Sequence, residues 1–436
     1  MNKDILMVEK ALDLAMKAGC SAARVGYGEG VQSNYTVHND CLEKIEQAAG
    51  RSLELQLFMD GRYGSFSTNR LEEKDLQTFI SQAVAQTRLL APEPARTLPS
   101  PERCYRGQTD LRQYDAELAA MPPEAQKALA FACAHEVLGQ HPQIIAVETS
   151  FGASTSSYYM MDSQGFYGET RQSQCSLSAE VSLKDKDEAR PSAWWYEASL
   201  FLKDLTPEHC GHTALTRALA KLGPKKLPSG RYPIVVEASV ASQLLSPLLA
   251  AMSGSAIQQK NSFLLDKLGQ PVGTPLLRVL DRPHLCGAMG ARLFDSEGVA
   301  TREQKIFENG RLNTYFIDTY NANKLGMAPT IGGPSLLEWE GGEGQLPALL
   351  QSLGKGILIT GFNGGNCNGA TGDFSYGIEG FEIENGKQGA PISEMLISGN
   401  MLELWQRLCL VGQDARLCSS WRIPSLGFEL MDCSGF

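Results

Sequence analysis

Thr371-Gly372-Asp373-Phe374-Ser375-Tyr376-Gly377, then Ile383-Glu384-Asn385-Gly386, then Pro391-Ile392-Ser393-Glu394 and Ile397-Ser398-Gly399-Asn400, form the stretch whose reading decides the fold. Asn385-Gly386 sits between apolar alternating stretches. A type I′ turn needs positive φ at both central residues, which Asn and Gly tolerate best, so the pair predicts a β-hairpin. Asn309-Gly310 carries the same signal. Most of the excess in the 43 glycines also falls in the last third of the chain. A β-rich C-terminal domain over 232–436 follows. Tyr232–Val236 reads as its first strand, and 238–252 as a helix kinked or begun late because of Pro247.

Upstream, Gly223-Pro224 through Pro228-Ser229-Gly230 marks a boundary, and Pro92, Pro94, Pro99 and Pro101 mark another. Four prolines in ten residues can neither continue a helix nor sit inside a sheet, so 91–110 reads as a linker. Before it, 1–90 reads as an N-terminal α/β unit. A first helix has Asn2 as cap, Ile5, Val8, Leu12 and Ala15 on one face, and Gly19 as stop. Short strands follow at 23–27, 34–37, 52–59 and 62–67, with Asp60-Gly61 as a turn. A helix over 72–90 places Leu76, Ile80, Ala83 and Thr87 on one side. After the linker, 111–222 reads as a second, central α/β unit. It has a helix from Pro122-Pro123 to Gly139, strands at 144–150, 156–161, 175–182 and 193–200, and a closing helix with Thr206 as cap and Pro207 at its first position. The order helix, strands, helix thus occurs twice. The fold class is α+β: an N-terminal duplicated helix–sheet–helix region followed by the β-rich C-terminal domain.

Composition narrows function. The chain of 436 residues is 43% hydrophobic, 20% charged and 8% aromatic, as in a soluble globular protein. Its formal charge is −10, and no basic run exceeds Lys225-Lys226. Phosphate neutralisation needs a basic stripe, so nucleic acid is excluded as a partner, and a polybasic membrane anchor with it. No apolar run is long enough to span a membrane, and the N-terminus lacks a signal-peptide pattern. The eleven cysteines are scattered without a C-x-x-C pair, which reads as reduced thiols in a cytoplasmic location.

Beyond residue 260, three clusters resemble in order and spacing the C-terminal domain of the TldD/PmbA family. They are Ser262-Phe263-Leu264-Leu265-Asp266-Lys267-Leu268-Gly269; Phe294-Asp295-Ser296-Glu297-Gly298-Val299 with Asn309-Gly310 and 320–326; and the opening stretch. The resemblance implies a cytosolic two-subunit metallopeptidase system acting on small or unfolded peptides, a family that also carries the older label of modulator of DNA gyrase. One subunit, TldD-like, bears a helical H-E-x-x-x-H motif and zinc; the other, PmbA- or TldE-type, does not. Spacing back from Ser262 puts the motif at Leu245-Ser246-Pro247-Leu248-Leu249-Ala250. A zinc peptidase needs imidazole ligands on one helix face and a carboxylate to activate water, and this segment supplies none. The resemblance therefore implies no catalytic or metal-binding residue and no cofactor in this chain. It implies a TldD-like metal-bearing partner, a peptide substrate, and compatibility with a homodimer when that partner is missing.

Other metal or hydrolase sites find little support among the six histidines. His135 and His141 are six residues apart, about 600° of helix rotation, so their rings diverge. His209 and His212 share the first turn of the closing helix and read as surface residues. His38 and His284 read as isolated, and Cys418 as a structural thiol. An autonomous metallopeptidase with ligands assembled from distant His, Cys and Asp residues stands as the rival reading. The remaining candidate is the glycine-rich loop. Gly364, Gly365, Thr371, Gly372 and Asp373 form a candidate peptide-binding segment, where bare backbone offers N–H and C=O groups to an extended peptide. The alternative is a connection needing positive φ, with Asp373 capping a turn through backbone N–H groups.

Overall fold

The computed structural model describes residues 3–435; Asn2, read as a helix cap, lies outside the described residues. Helix α1 (Lys3–Lys17) buries Val8, Ala11 and Ala15 against the first sheet. Its strands are β1 (Ala22–His38), β2 (Cys41–Met59), β3 (Arg62–Thr68), β4 (Ile144–Asp162), β5 (Tyr167–Leu183) and β6 (Ser192–Ser199). They are antiparallel throughout, in the order β3-β2-β1-β4-β5-β6. Helix α2 (Glu73–Thr87) buries Leu76, Ile80, Ala83 and Thr87, the face expected from the 3.6-residue period. Helices α3 (Pro123–His135) and α4 (Cys210–Ala220) pack with β4, β5 and β6 around a second apolar cluster.

The duplicated order is the symmetry of this sheet. Three strands from each side of the proline-rich segment meet where β1 pairs with β4, from Arg24↔Asp162 to His38↔Glu148. Both halves thus build one continuous sheet. The segments 23–27 and 34–37 are one strand rather than two, as are 144–150 and 156–161. Between the apolar ends of β1, residues 28–33 are exposed or half-exposed, so no burial pattern marks the strand's middle.

The closing helix also differs from expectation. It starts at Cys210, and Thr206-Pro207 lie outside it. His209 takes a left-handed φ of 71°, and the Glu136 carboxylate accepts the N–H groups of His209 (3.0 Å) and His212 (3.2 Å). The free N–H groups of the first turn are satisfied from the neighbouring helix end instead of a local hydroxyl.

The C-terminal region is a barrel. Its strands are β7 (Gly230–Val236), β8 (Gly356–Cys367), β9 (Asp373–Glu384), β10 (Lys387–Asn400), β11 (Leu408–Val411) and β12 (Leu426–Ser434). Their order is β10-β9-β8-β7-β12-β11, and a further pairing of β10 with β12 closes the ring. Closure removes most of the sheet edge. A smaller five-stranded sheet packs beside it, built from Val279–Asp281, Gln304–Glu308, Arg311–Leu312, Leu337–Trp339 and Trp421–Arg422. Both Asn-Gly pairs form the expected turns: Asn309 and Gly310 have φ of 50° and 79°, Asn385 and Gly386 of 53° and 73°. Helix α5 (Ser242–Ala251) drives Leu244, Leu245, Leu248 and Leu249 into the barrel core. Among the described residues no helix is long and apolar enough to cross a membrane.

Candidate peptide-binding site

The site is best built outward from β8. Over Ile357–Ile359 this strand is flanked by β7 on one side and β9 on the other. From Thr360 to Cys367 it keeps only β9, so among the described residues its other edge carries no strand. Bare N–H and C=O groups along such an edge are what an added extended chain would pair with.

Glycine makes this segment possible. Gly364 and Gly365 take φ of 120° and 103°, and the register shifts between Phe362 and Gly365. A Cβ on Gly365 would stand 2.0 Å from the Ser375 carbonyl oxygen, so only glycine lets the two strands approach. Beyond the bulge the chain turns back through Asn368–Asp373. The Asn368 side chain accepts the N–H groups of Ala370 (2.9 Å) and Thr371 (3.3 Å). Asn368, and not Asp373, therefore caps the turn. The Asp373 carboxylate accepts instead from the Asn400 amide (3.0 Å) and the Thr371 hydroxyl (2.7 Å), and these bonds, Asn400 first, hold its pKa below the usual carboxylate value. Gly372, at φ 81°, lies over the Phe263 ring, and Phe263 N–H bonds to Gly369 O at 2.9 Å. The first and third motif clusters are thus in direct contact.

A cleft of about 480 Å³ opens beside Thr360–Phe362. Trp195 of β6, Arg217 of α4 and Lys221 just after it, Glu237 after β7 and Gln243 of α5 line it. Its charges are internally paired. Arg217 holds Glu237 through two bonds of 2.8 and 2.7 Å, and Lys221 holds Glu379 at 2.7 Å. Arg416 lies 4.1 Å over the Trp195 ring and 3.3 Å from Glu197. A neutral, partly aromatic cleft next to a free strand edge suits an extended peptide better than a highly charged ligand. None of these cleft residues carried a sequence signal, because their partners come from separate elements.

Where the H-E-x-x-x-H motif would fall, Leu245 is buried in the core while Ser246 and Ala250 are exposed. Leu245, Ser246 and Ala250 do not fit a zinc ion. His135 pairs with Asp40 at 2.7 Å, while the His141 ring accepts the Gln143 N–H, so the two do not converge. His284 meets Thr301 at 3.0 Å. Cys418 is half-buried beside Tyr196, whose pKa is raised first by burial and then by that thiol. His38 is not isolated: its ligand atom lies near those of Glu43 and Glu148 on the first sheet, away from the cleft.

Residues 229–435 match the model of the PmbA/TldA metallopeptidase C-terminal domain, and residues 116–222 that of its central domain. The chain belongs to the TldD/PmbA family. It is 30% identical over 434 residues to a protein named metalloprotease PmbA homolog from Haemophilus influenzae, covering 98% of this chain and 95% of that one. It is 28% identical to metalloprotease PmbA of Escherichia coli O157:H7, with the same coverages. Among solved structures, a proposed modulator of DNA gyrase from Bacteroides thetaiotaomicron superposes with a TM-score of 0.98 at 48% identity, over 100% of both chains. TldE from Thermococcus kodakarensis shares the fold, with a TM-score of 0.88 at 20% identity over 98% of this chain and all of that one.

Proposed function

We propose that this chain is the PmbA/TldE-like subunit of a TldD/TldE-type metallopeptidase system that processes small or unfolded peptides in the cytoplasm. It is itself non-catalytic. A TldD-like partner supplies the zinc, and this chain completes the substrate chamber and holds the peptide. One observation carries the reading: Leu245, Ser246 and Ala250 occupy the motif positions of α5, with the helix's leucines committed to the core. Zinc peptidase chemistry needs imidazole ligands and an activating carboxylate there, and two aliphatic side chains with a hydroxyl offer neither. The free edge of β8 over Thr360–Cys367, with the neighbouring cleft, supports the peptide-holding role.

The test is co-expression with a TldD-like partner bearing H-E-x-x-x-H. We expect a stable complex, chelator-sensitive cleavage of an unfolded polypeptide by the complex, and none when the partner's H-E-x-x-x-H histidines are replaced. Chelator-sensitive cleavage by this chain alone, lost on His209→Ala, His212→Ala or Cys418→Ala, would overturn the proposal in favour of an autonomous peptidase.

A further inference from the structure

The tip of the β1–β2 hairpin brings together side chains that no local pattern links. His38 ends β1, and its register partner on β4 is Glu148. On the other side, Val37 pairs with Leu42 and Thr36 with Lys44, so Glu43 is the extra residue of a β-bulge. Bulges re-aim side chains, and here Glu43 turns towards His38 and Glu148. One ligand atom from each of the three lies within 4.8 Å of the other two.

Two carboxylates this close repel unless something neutralises them. Among the described residues, none of the three side chains has a hydrogen bond or ion pair with protein, and the adjacent Lys44 is engaged by Glu46 at 2.8 Å. Directly opposite His38 stands Cys41, an exposed free thiol, so a soft donor occupies the same end of the hairpin. The hairpin's outer side is open: β3 pairs with β2 only over Leu53–Met59, leaving the outer edge of Cys41–Ser52 without a strand among the described residues. A cation here would neutralise the carboxylates and tie three strands together.

We infer that His38, Glu43 and Glu148 form a structural site for a borderline divalent metal ion, zinc in the first instance, that pins the β1–β2 hairpin to β4. One imidazole with two carboxylates is a donor set for zinc or cobalt rather than for calcium, which prefers oxygen ligands alone. Donors about 2.1 Å from a tetrahedral ion stand roughly 3.4 Å apart, a gap that side-chain torsions close from the present positions. The site is independent of the cleft and of peptide cleavage.

The test titrates the chelator-treated full chain with Zn²⁺ and Co²⁺, following heat and the visible cobalt spectrum. The expected result is one ion per chain with intense tetrahedral cobalt bands and a higher melting temperature with zinc. Affinity falls roughly tenfold or more in His38→Ala and in Glu148→Gln, with circular dichroism unchanged. A His209→Ala/His212→Ala control keeps wild-type affinity. No saturable binding, equal affinity in His38→Ala, or binding lost only in the control would each overturn the inference.

Discussion

Arg217 and Glu237 face each other side-on, Nη1 to Oε1 at 2.8 Å and Nη2 to Oε2 at 2.7 Å, and so bolt α4 of the first sheet to the end of β7 in the barrel. Their side chains keep only 24% and 15% exposure, so solvent screens the pair less than a surface bridge. Both bonds are charge-assisted and parallel, a geometry that guanidinium matches and ammonium does not. Arg217→Ala strands a half-buried carboxylate and is expected to cost about 1–3 kcal/mol. Arg217→Lys should fall between the two. Urea denaturation of the three proteins checks the order; equal stability of Arg217→Ala and wild type would show that the bolt holds nothing.

Gly365 and Gly361 lie four positions apart on β8 and should respond very unequally to alanine. At Gly365 the backbone has φ of 103° and a Cβ would meet a carbonyl oxygen at 2.0 Å. At Gly361 no positive φ is involved, and the first atom met is the Glu379 Cβ at 3.4 Å, an ordinary contact. Gly365→Ala is expected to destabilise by about 1–3 kcal/mol from strain alone, with the clash adding to it. Gly361→Ala should change stability by roughly 0.5 kcal/mol or less. Differential scanning calorimetry of the two variants decides, and a larger loss at Gly361 would contradict the bulge geometry.

The contrast between these glycines shows how far the sequence could be read. Turns and amphipathic helices depend on near neighbours, so Asn309-Gly310, Asn385-Gly386 and the buried face of α2 were legible from a dozen residues or fewer. The middles of β1 and β4 were not, because where both faces of a strand meet solvent the apolar alternation vanishes. The start of α4 was misplaced because its cap, Glu136, is a side chain from another helix. The glycine loop stood out by composition, but its turn-capping residue is Asn368 and not Asp373, and composition does not distinguish two acceptors. The cleft was invisible: Lys221 and Glu379 are 158 residues apart, and only the assembled fold makes them partners.

A second buried pair predicts non-additivity. Arg24 and Asp162 approach to 3.7 Å with side-chain exposures of 5% and 0%, and Arg24 Nε and Asp162 Oδ2 have no hydrogen-bond partner among the described residues. Arg24 also donates to the Glu297 carbonyl at 2.6 Å, joining the first sheet to the C-terminal region. Desolvation costs both ions heavily, and removing one leaves the other uncompensated. Arg24→Met and Asp162→Asn are each expected to cost about 3–5 kcal/mol. The double variant should cost less than the sum of the singles by more than the roughly 0.5 kcal/mol scatter of independent sites. A double-mutant cycle in denaturant measures the coupling directly, and strict additivity would mean that the two charges do not sense one another.

Asp281 gives a pH dependence of definite sign. It is 1% exposed at the end of the short strand Val279–Asp281, where the Ser335 N–H lies 3.1 and 3.2 Å from its two oxygens. Burial pushes its pKa up to about 6, against the smaller opposing pulls of that hydrogen bond and the Arg292 charge. An unfolded aspartate titrates near pH ~4. Between about pH 4 and about pH 6 the folded chain therefore holds a proton that the unfolded chain has released, so stability falls as pH rises through that window and levels off above it. Exposed carboxylates such as Asp373, held low by hydrogen bonds, act in the opposite direction. The total profile mixes both, and the difference between wild type and Asp281→Asn isolates the buried group. Asparagine keeps an acceptor for the Ser335 N–H but carries no charge. Its stability relative to wild type should rise from about pH 4 to about pH 6 and then stay constant. A difference that is flat across that range would show that Asp281 ionises as readily in the folded protein as in the unfolded one.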